Sequence, residues 1–145
     1  MAVQRMDNVL IVVDDLDAAI AFFVELGLEL EGKTAVEGQS VDRLLGLDGV
    51  RADMAVVRTP DGHGRVELTK FHTPVATSTG SRAAVNSLGI GRIMFAVDDI
   101  EDVLARLRAH GAELVHELVR YEDIYRLCYV RGPEGIIIGL AEQLS

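Results

Sequence analysis

Laid on itself with a shift of 84 residues, the chain places Val13-Asp14-Asp15-Leu16-Asp17 on Val97-Asp98-Asp99-Ile100-Glu101. The register then holds without a gap, with Ala21 on Ala105, Gly27 on Gly111 and Glu29-Leu30 on Glu113-Leu114. Farther on, Arg58-Thr59-Pro60-Asp61-Gly62 echoes Arg131-Gly132-Pro133-Glu134-Gly135, and Val66-Glu67-Leu68 echoes Ile138-Gly139-Leu140 at an offset of 72. A short insertion therefore separates the copies. A repeat of this extent is the tightest constraint on the fold, because whatever unit one copy builds, the other builds as well.

Each copy opens on a nearly continuous apolar, β-branched run, residues 8–13 and 92–97, which predicts a strand. A helix follows. Asp14 or Asp15, and Asp98 or Asp99, can accept hydrogen bonds from the free N–H groups of a first helical turn, where negative charge also meets the favourable end of the dipole. Leu16, Ala19, Ile20 and Phe23 recur at helical spacing, as do Ile100, Val103, Leu104 and Leu107, so each helix has one apolar face. On that stripe Phe22 and Phe23 read as core. Gly27 and Gly111 sit where a left-handed terminating residue is expected. Pro-Asp-Gly and Pro-Glu-Gly predict hairpin turns, with strands near 51–59 and 64–71 in the first copy and 124–131 and 136–141 in the second. Strands near 28–34 and 112–118 complete the unit. The expected class is α+β, with two tandem βαβββ modules, residues 6–72 and 90–142, joined by a polar linker over 73–89 into one domain spanning 1–145. One helix covers one face of each sheet, and the uncovered faces of two curved mixed sheets are expected to form a trough.

Composition narrows the function. A length of 145 residues fits one domain, or two small halves sharing a core. The 14 Lys+Arg against 23 Asp+Glu give a net charge of −9, which disfavours nucleic acid and anionic membrane surfaces and favours a cationic guest. No apolar run reaches the ~18–20 residues of a membrane span. The single cysteine, Cys128, excludes an intramolecular disulfide, and the opening Met1-Ala2-Val3-Gln4-Arg5-Met6-Asp7 lacks the apolar stretch of a signal peptide; a cytoplasmic location is expected. Cys128 lies in an apolar run without a neighbouring His and reads as a small core residue rather than a nucleophile.

The tandem βαβββ pattern resembles the vicinal oxygen chelate superfamily, which includes glyoxalase I, extradiol dioxygenases and bleomycin-binding proteins. The resemblance rests on Val-Asp-Asp opening each helix, Gly at its end and Pro-Asp/Glu-Gly before the last strand, and it covers residues 6–142. It implies a small-molecule ligand or substrate and a homodimer. It also implies, for the metal-using members, four ligands on the first and last strands of the two copies, which hold a divalent cation as a Lewis acid. In this chain those positions carry Asn8, Glu67, Arg92 and Gly139. Glu67 alone is a good ligand: Asn8 is weak for a hard cation, Arg92 repels one, and Gly139 has no side chain. His72 lies at odd spacing from Glu67 and points to the other face, and His63 falls in or near the turn. No metal cofactor is therefore expected.

By strand parity Leu10, Val12, Thr69, Phe71, Met94, Ala96 and Ile137 share the uncovered faces with Glu67 and Arg92. The same apolar residues would also serve as ordinary core or dimer contacts. The candidate ligand-binding set is Asn8, Leu10, Glu67, Thr69, Arg92, Met94, Ile137 and Gly139. Where the metal would stand, Arg92 would pair with Glu67, as a working site or as the remnant of one. The stretch Tyr121-Glu122-Asp123-Ile124-Tyr125-Arg126 reads as a solvated hairpin shoulder at the rim. Two functions follow. One is metal-independent binding of a small organic molecule. The other is catalysis as a glyoxalase-type lyase or isomerase, with Glu67 as base and Arg92 stabilising an oxyanion, or as a metal-dependent lyase, isomerase or dioxygenase that recruits Glu67.

Overall fold

The computed structural model describes residues 2–78 and 82–144, so residues 79–81 of the expected linker lie outside the described residues. The chain divides into two compact units, Met1–Thr77 and Ser78–Ser145.

The first unit runs β1 (Val9–Val12), α1 (Leu16–Leu26), β2 (Glu29–Glu37), α2 (Gln39–Leu45), β3 (Arg51–Arg58) and β4 (Arg65–Thr73). Its sheet has the order β1-β4-β3-β2, with β1 parallel to β4 and the other pairs antiparallel. The parallel pair follows from the helix, because a chain that crosses the sheet on α1 returns in the direction it left. Asp15 caps α1, its side chain accepting from the Ala18 N–H at 3.0 Å. Gly27 ends the helix at φ 123°, its N–H donating to the carbonyls of Phe23 and Val24. Leu16, Ala19, Phe22, Phe23 and Leu26 bury one stripe of α1 over the sheet face that presents Ala55, Val57, Val66 and Leu68, all buried. The rings of Phe22 and Phe23 meet edge to face at 5.3 Å. Each of the buried Leu, Val and Phe side chains contributes ~1.5–3 kcal/mol, and each Ala less.

The second unit repeats the plan as β5 (Ile93–Val97), α3 (Ile100–Arg108), β6 (Glu113–Tyr121), β7 (Tyr125–Arg131), a short 3-10 turn over Pro133–Gly135 and β8 (Ile137–Gln143). The sheet order is β5-β8-β7-β6, again with one parallel pair, β5 with β8. Asp99 caps α3 through the Asp102 N–H at 3.2 Å. Ile100, Val103, Leu104 and Leu107 are buried, as are Cys128, Val130, Ile138 and Leu140 of the sheet. Burial pushes the Cys128 thiol above its ordinary value, as a core cysteine requires.

The expected elements are present in both units. Between β2 and β3 the first unit holds an additional helix, α2, where the sequence predicts none. It buries none of its residues, and Gly38 before it supplies no side-chain cap. Asp42 instead anchors the following loop by accepting from the N–H groups of Gly49 and Val50. The 121–126 stretch is a hairpin tip, with Tyr121 paired to Tyr125 and Glu122 and Asp123 at φ 49° and 55° between them. Among the described residues no helix is long and apolar enough to cross a membrane.

Candidate functional site

In the first unit the face opposite α1 is built on β1 and β4. Leu10 stands beside Glu67 and Val12 beside Thr69 in the parallel register. β3 extends these rows by placing Val56 next to Glu67 and Met54 next to Thr69. Glu67 is half-buried, Thr69 is buried, and Leu10 and Val12 are exposed. The Thr69 hydroxyl donates to Glu67 Oε2 at 3.5 Å, a long bond that leaves most of the carboxylate's accepting capacity free. Within this unit, and among the described residues, no cation pairs with Glu67. Asn8 lies one residue before β1 and is exposed.

Of the other charged residues of β4, Lys70 and His72 lie on the helix-bearing face, whereas Arg65 shares the parity of Glu67 and pairs with Glu31 at 2.9 Å. Lys70 reaches Asp14 at 3.1 Å, and His72 Nε2 meets Asp53 Oδ2 at 2.9 Å. His72 is thus on the far side of the sheet from Glu67, as strand parity requires. His63 lies in the turn before β4, where its N–H donates to Asp61 Oδ1. The bond that the Thr59 hydroxyl donates to Asp61, and after it the one from His63, hold the Asp61 carboxyl below its ordinary value.

In the second unit the face opposite α3 has Met94, Gly139 and Tyr129 in one row across β5, β8 and β7. Ala96, Ala141 and Leu127 form the next row. The Met94 thioether fills the space over Gly139, where a Cβ on residue 139 would collide with Met94 Sδ and stand 3.4 Å from Tyr129 Cδ1. Arg92, one residue before β5, lays its guanidinium over the Tyr129 ring at 5.1 Å from the centroid, within the range of a cation–π contact. Ile137 is buried and pairs with Arg131, whose guanidinium donates to the carbonyls of Ala83 and Gly135.

Sequence reasoning missed Tyr129, Val56 and Met54. The signal was available: Arg131 and Ile137 flank the Pro-Glu-Gly turn, and counting two residues away from the turn along each strand sets Tyr129 opposite Gly139.

The four positions at which the resemblance would place metal ligands do not form a donor set. Gly139 offers no atom and its space is taken by Met94, Arg92 brings a fixed cation held on Tyr129, and the exposed Asn8 is a weak ligand. Among the described residues no three His, Cys, Asp or Glu side chains gather as a metal site would need.

Two βαβββ units, each with a four-stranded mixed sheet, define the glyoxalase-like α+β fold. A family model described as the Glyoxalase/Bleomycin resistance protein/Dioxygenase superfamily matches residues 5–140. Among solved structures, a glyoxalase family protein from Bacillus cereus is 53% identical over 100% of this chain and 99% of its own, with a TM-score of 0.95. A glyoxalase I mutant from Zea mays is 19% identical, with a TM-score of 0.66 over 97% of this chain and 48% of its own. A fosfomycin resistance protein from Listeria monocytogenes, complexed with Mn(II) and 1S,2S-dihydroxypropylphosphonic acid, is 13% identical, with a TM-score of 0.64 over 95% of this chain and 89% of its own. These last two share the fold alone. No curated protein matches. The chain belongs to the Glyoxalase/Bleomycin resistance protein/Dioxygenase superfamily.

Proposed function

We propose that this chain binds a small organic molecule on the sheet faces its helices leave open, and that it does so without a divalent metal. The observation that carries the reading is the row Met94–Gly139–Tyr129 with Arg92 over it, where a thioether and a fixed cation take the place that a metal-ligand side chain would need. Each open face sets exposed apolar surface beside a few polar groups, Leu10 and Val12 with Glu67 and Thr69 in the first unit and Met94 and Ala96 with Arg92 in the second, which is the usual make-up of a small-molecule site. The same reading takes the protein as a cytoplasmic homodimer, which sedimentation would report as twice the 15.7 kDa chain mass.

The deciding experiment is elemental mass spectrometry on protein purified without a histidine tag, with melting scans in Ni, Zn, Mn, Fe(II) and Mg. The expected result is substoichiometric metal and no rise in Tm. Near-stoichiometric metal with a matching rise, both lost in Glu67→Ala, overturns the reading in favour of a metal-dependent lyase, isomerase or dioxygenase.

A catalytic reading is favoured by one observation. Glu67 is a half-buried carboxylate without a cationic partner inside its unit, which suits a base that removes a proton next to a carbonyl. Loss of ~100-fold or more in kcat in Glu67→Gln on a substrate found by screening supports it. Unchanged turnover removes Glu67 from that role.

A further inference from the structure

Five arginines of the second unit are held in place by protein oxygens. Arg82, Arg106, Arg120 and Arg126 reach Glu113, Asp102, Asp123 and Glu101 at 2.9–3.4 Å, and Arg131 donates to two backbone carbonyls. Arg92 differs. Within its unit, and among the described residues, no carboxylate or carbonyl receives its N–H groups, and its contact is the face of Tyr129. Arg108 also lacks such a partner, but it ends α3 and is not on the sheet.

A guanidinium held against a ring face has its position restrained while its N–H donors stay available. Tyr129 is itself fixed, because it lies on an inner strand between β6 and β8. Arg92 is therefore pre-oriented, and part of the entropy of ordering a long side chain is lost before any ligand arrives. On the same face Met94, the next such residue along, is 41% exposed, and the row beyond it holds the exposed Ala96 and, across the sheet, Val119 at 41%, so the cation borders apolar surface.

We propose that Arg92, propped by Tyr129, is the recognition site for a carboxylate on an otherwise apolar small molecule. The proposal rests on the binding reading above and gives it a ligand class. A carboxylate is planar and presents two oxygens at the spacing of the guanidinium fork, whereas an ammonium would be repelled at contact and a neutral amide would forgo the charge-assisted bonds. The apolar body of the ligand lies along Met94, Ala96 and Val119. No covalent step is involved.

The test uses the whole chain and the matched probes benzoate, benzamide and benzylamine, with methylphosphonate as a second oxyanion. Binding is followed by amide chemical-shift titration up to ~10 mM, where a fragment of this size gives a measurable dissociation constant. Benzoate is expected to bind at least ~10-fold more tightly than benzamide, with shifts centred on the amides of Arg92, Met94 and Tyr129. Arg92→Gln is expected to abolish that preference. Tyr129→Phe, which keeps the ring, preserves it, and Tyr129→Leu weakens it several-fold. Melting of each variant confirms folding, and because Arg92 is exposed its replacement leaves the core intact. Benzamide or benzylamine binding as well as benzoate, or benzoate binding unchanged in Arg92→Gln, overturns the carboxylate proposal and leaves the wider small-molecule reading standing. Methylphosphonate outcompeting benzoate overturns the carboxylate in favour of a tetrahedral oxyanion. Failure of all four probes to bind overturns the proposal, and a Tm that stays unmoved through a broad metabolite screen would in addition remove the reading beneath it.

Discussion

At the scale of single residues, the second unit's open face turns on what Gly139 lacks. The absent side chain makes room for Met94, and the two should be energetically coupled. A Cβ at 139 meets the flexible end of Met94, which is 41% exposed and can swing away, while Tyr129 Cδ1 at 3.4 Å is an ordinary contact. Gly139→Ala also lowers the freedom of the unfolded chain. The net cost is expected below ~1 kcal/mol, with a coupling of ~0.5–1 kcal/mol to Met94→Ala in a double-mutant cycle read by urea unfolding. A cost above ~3 kcal/mol would mean that Met94 is locked and that position 139 is closed to any side chain. Cys128 makes a second prediction at this scale. It is 3% exposed and burial raises its thiol, so a thiol reagent at mildly alkaline pH should react only as fast as the unit unfolds. Rapid labelling of the native protein would contradict the packing. Both residues were legible in part: the run around Cys128 marked it as core, and the alignment of the copies set Gly139 against Glu67. What a linear sequence withholds is the neighbour, since Met94 and Tyr129 reach Gly139 only through strand pairing.

At the scale of elements, the helix starts behave as their aspartates predict. Asp15 and Asp99 each satisfy an N–H of the first turn, and replacing either by Ala should cost ~1 kcal/mol, with Ser recovering most of it. Thermal melts of the four variants check this, and an unchanged Asp99→Ala would show that α3 is held by packing alone. The segment before β5 is tied to β6 by Arg82, which donates to both carboxylate oxygens of Glu113 at 2.9 Å. Hydrogen bonding from Arg82, with its charge, holds the Glu113 carboxyl below its ordinary value. A depressed carboxyl adds stability above the unfolded value, and that contribution is lost as the pH falls through the lower folded one. The pair is exposed, so the contribution is small. NMR signals of residues 82–84 should therefore change in acid, below the ordinary carboxylate range near ~4, and lose that response in Glu113→Gln. Helix and strand periodicity made most elements readable, and α2 escaped because it buries no face and so leaves no apolar stripe. The extra lengths of β2 and β6 were missed for a related reason. They are edge strands with mostly exposed residues, interrupted by register shifts after Leu30 and Val115, and an edge strand with little buried on either face shows no alternation.

At the scale of the whole molecule, the repeat made the architecture readable, because two noisy copies of one pattern corroborate each other and each turn or cap is seen twice. Charge was read at the same scale, and there it favours a different guest from the one the site favours. A net charge of −9 attracts cations at long range, whereas Arg92 offers a fixed positive edge at contact. Ionic strength separates the two, since the Debye length falls from ~30 Å at ~10 mM salt to ~8 Å at ~150 mM. Raising salt across that range screens the repulsion between the molecule and an incoming anion before it weakens the contact pair, which acts over only a few ångströms. Benzoate should therefore associate faster at the higher salt, and Arg92→Gln should raise its dissociation rate with little change in that trend. NMR lineshape analysis at the two ionic strengths gives both rates. A benzoate association rate that instead falls with salt would show that the field an approaching ligand meets at the open face is positive. In that case the acidic residues lie where an approaching ligand does not feel them, and net charge has no bearing on which guest this face selects.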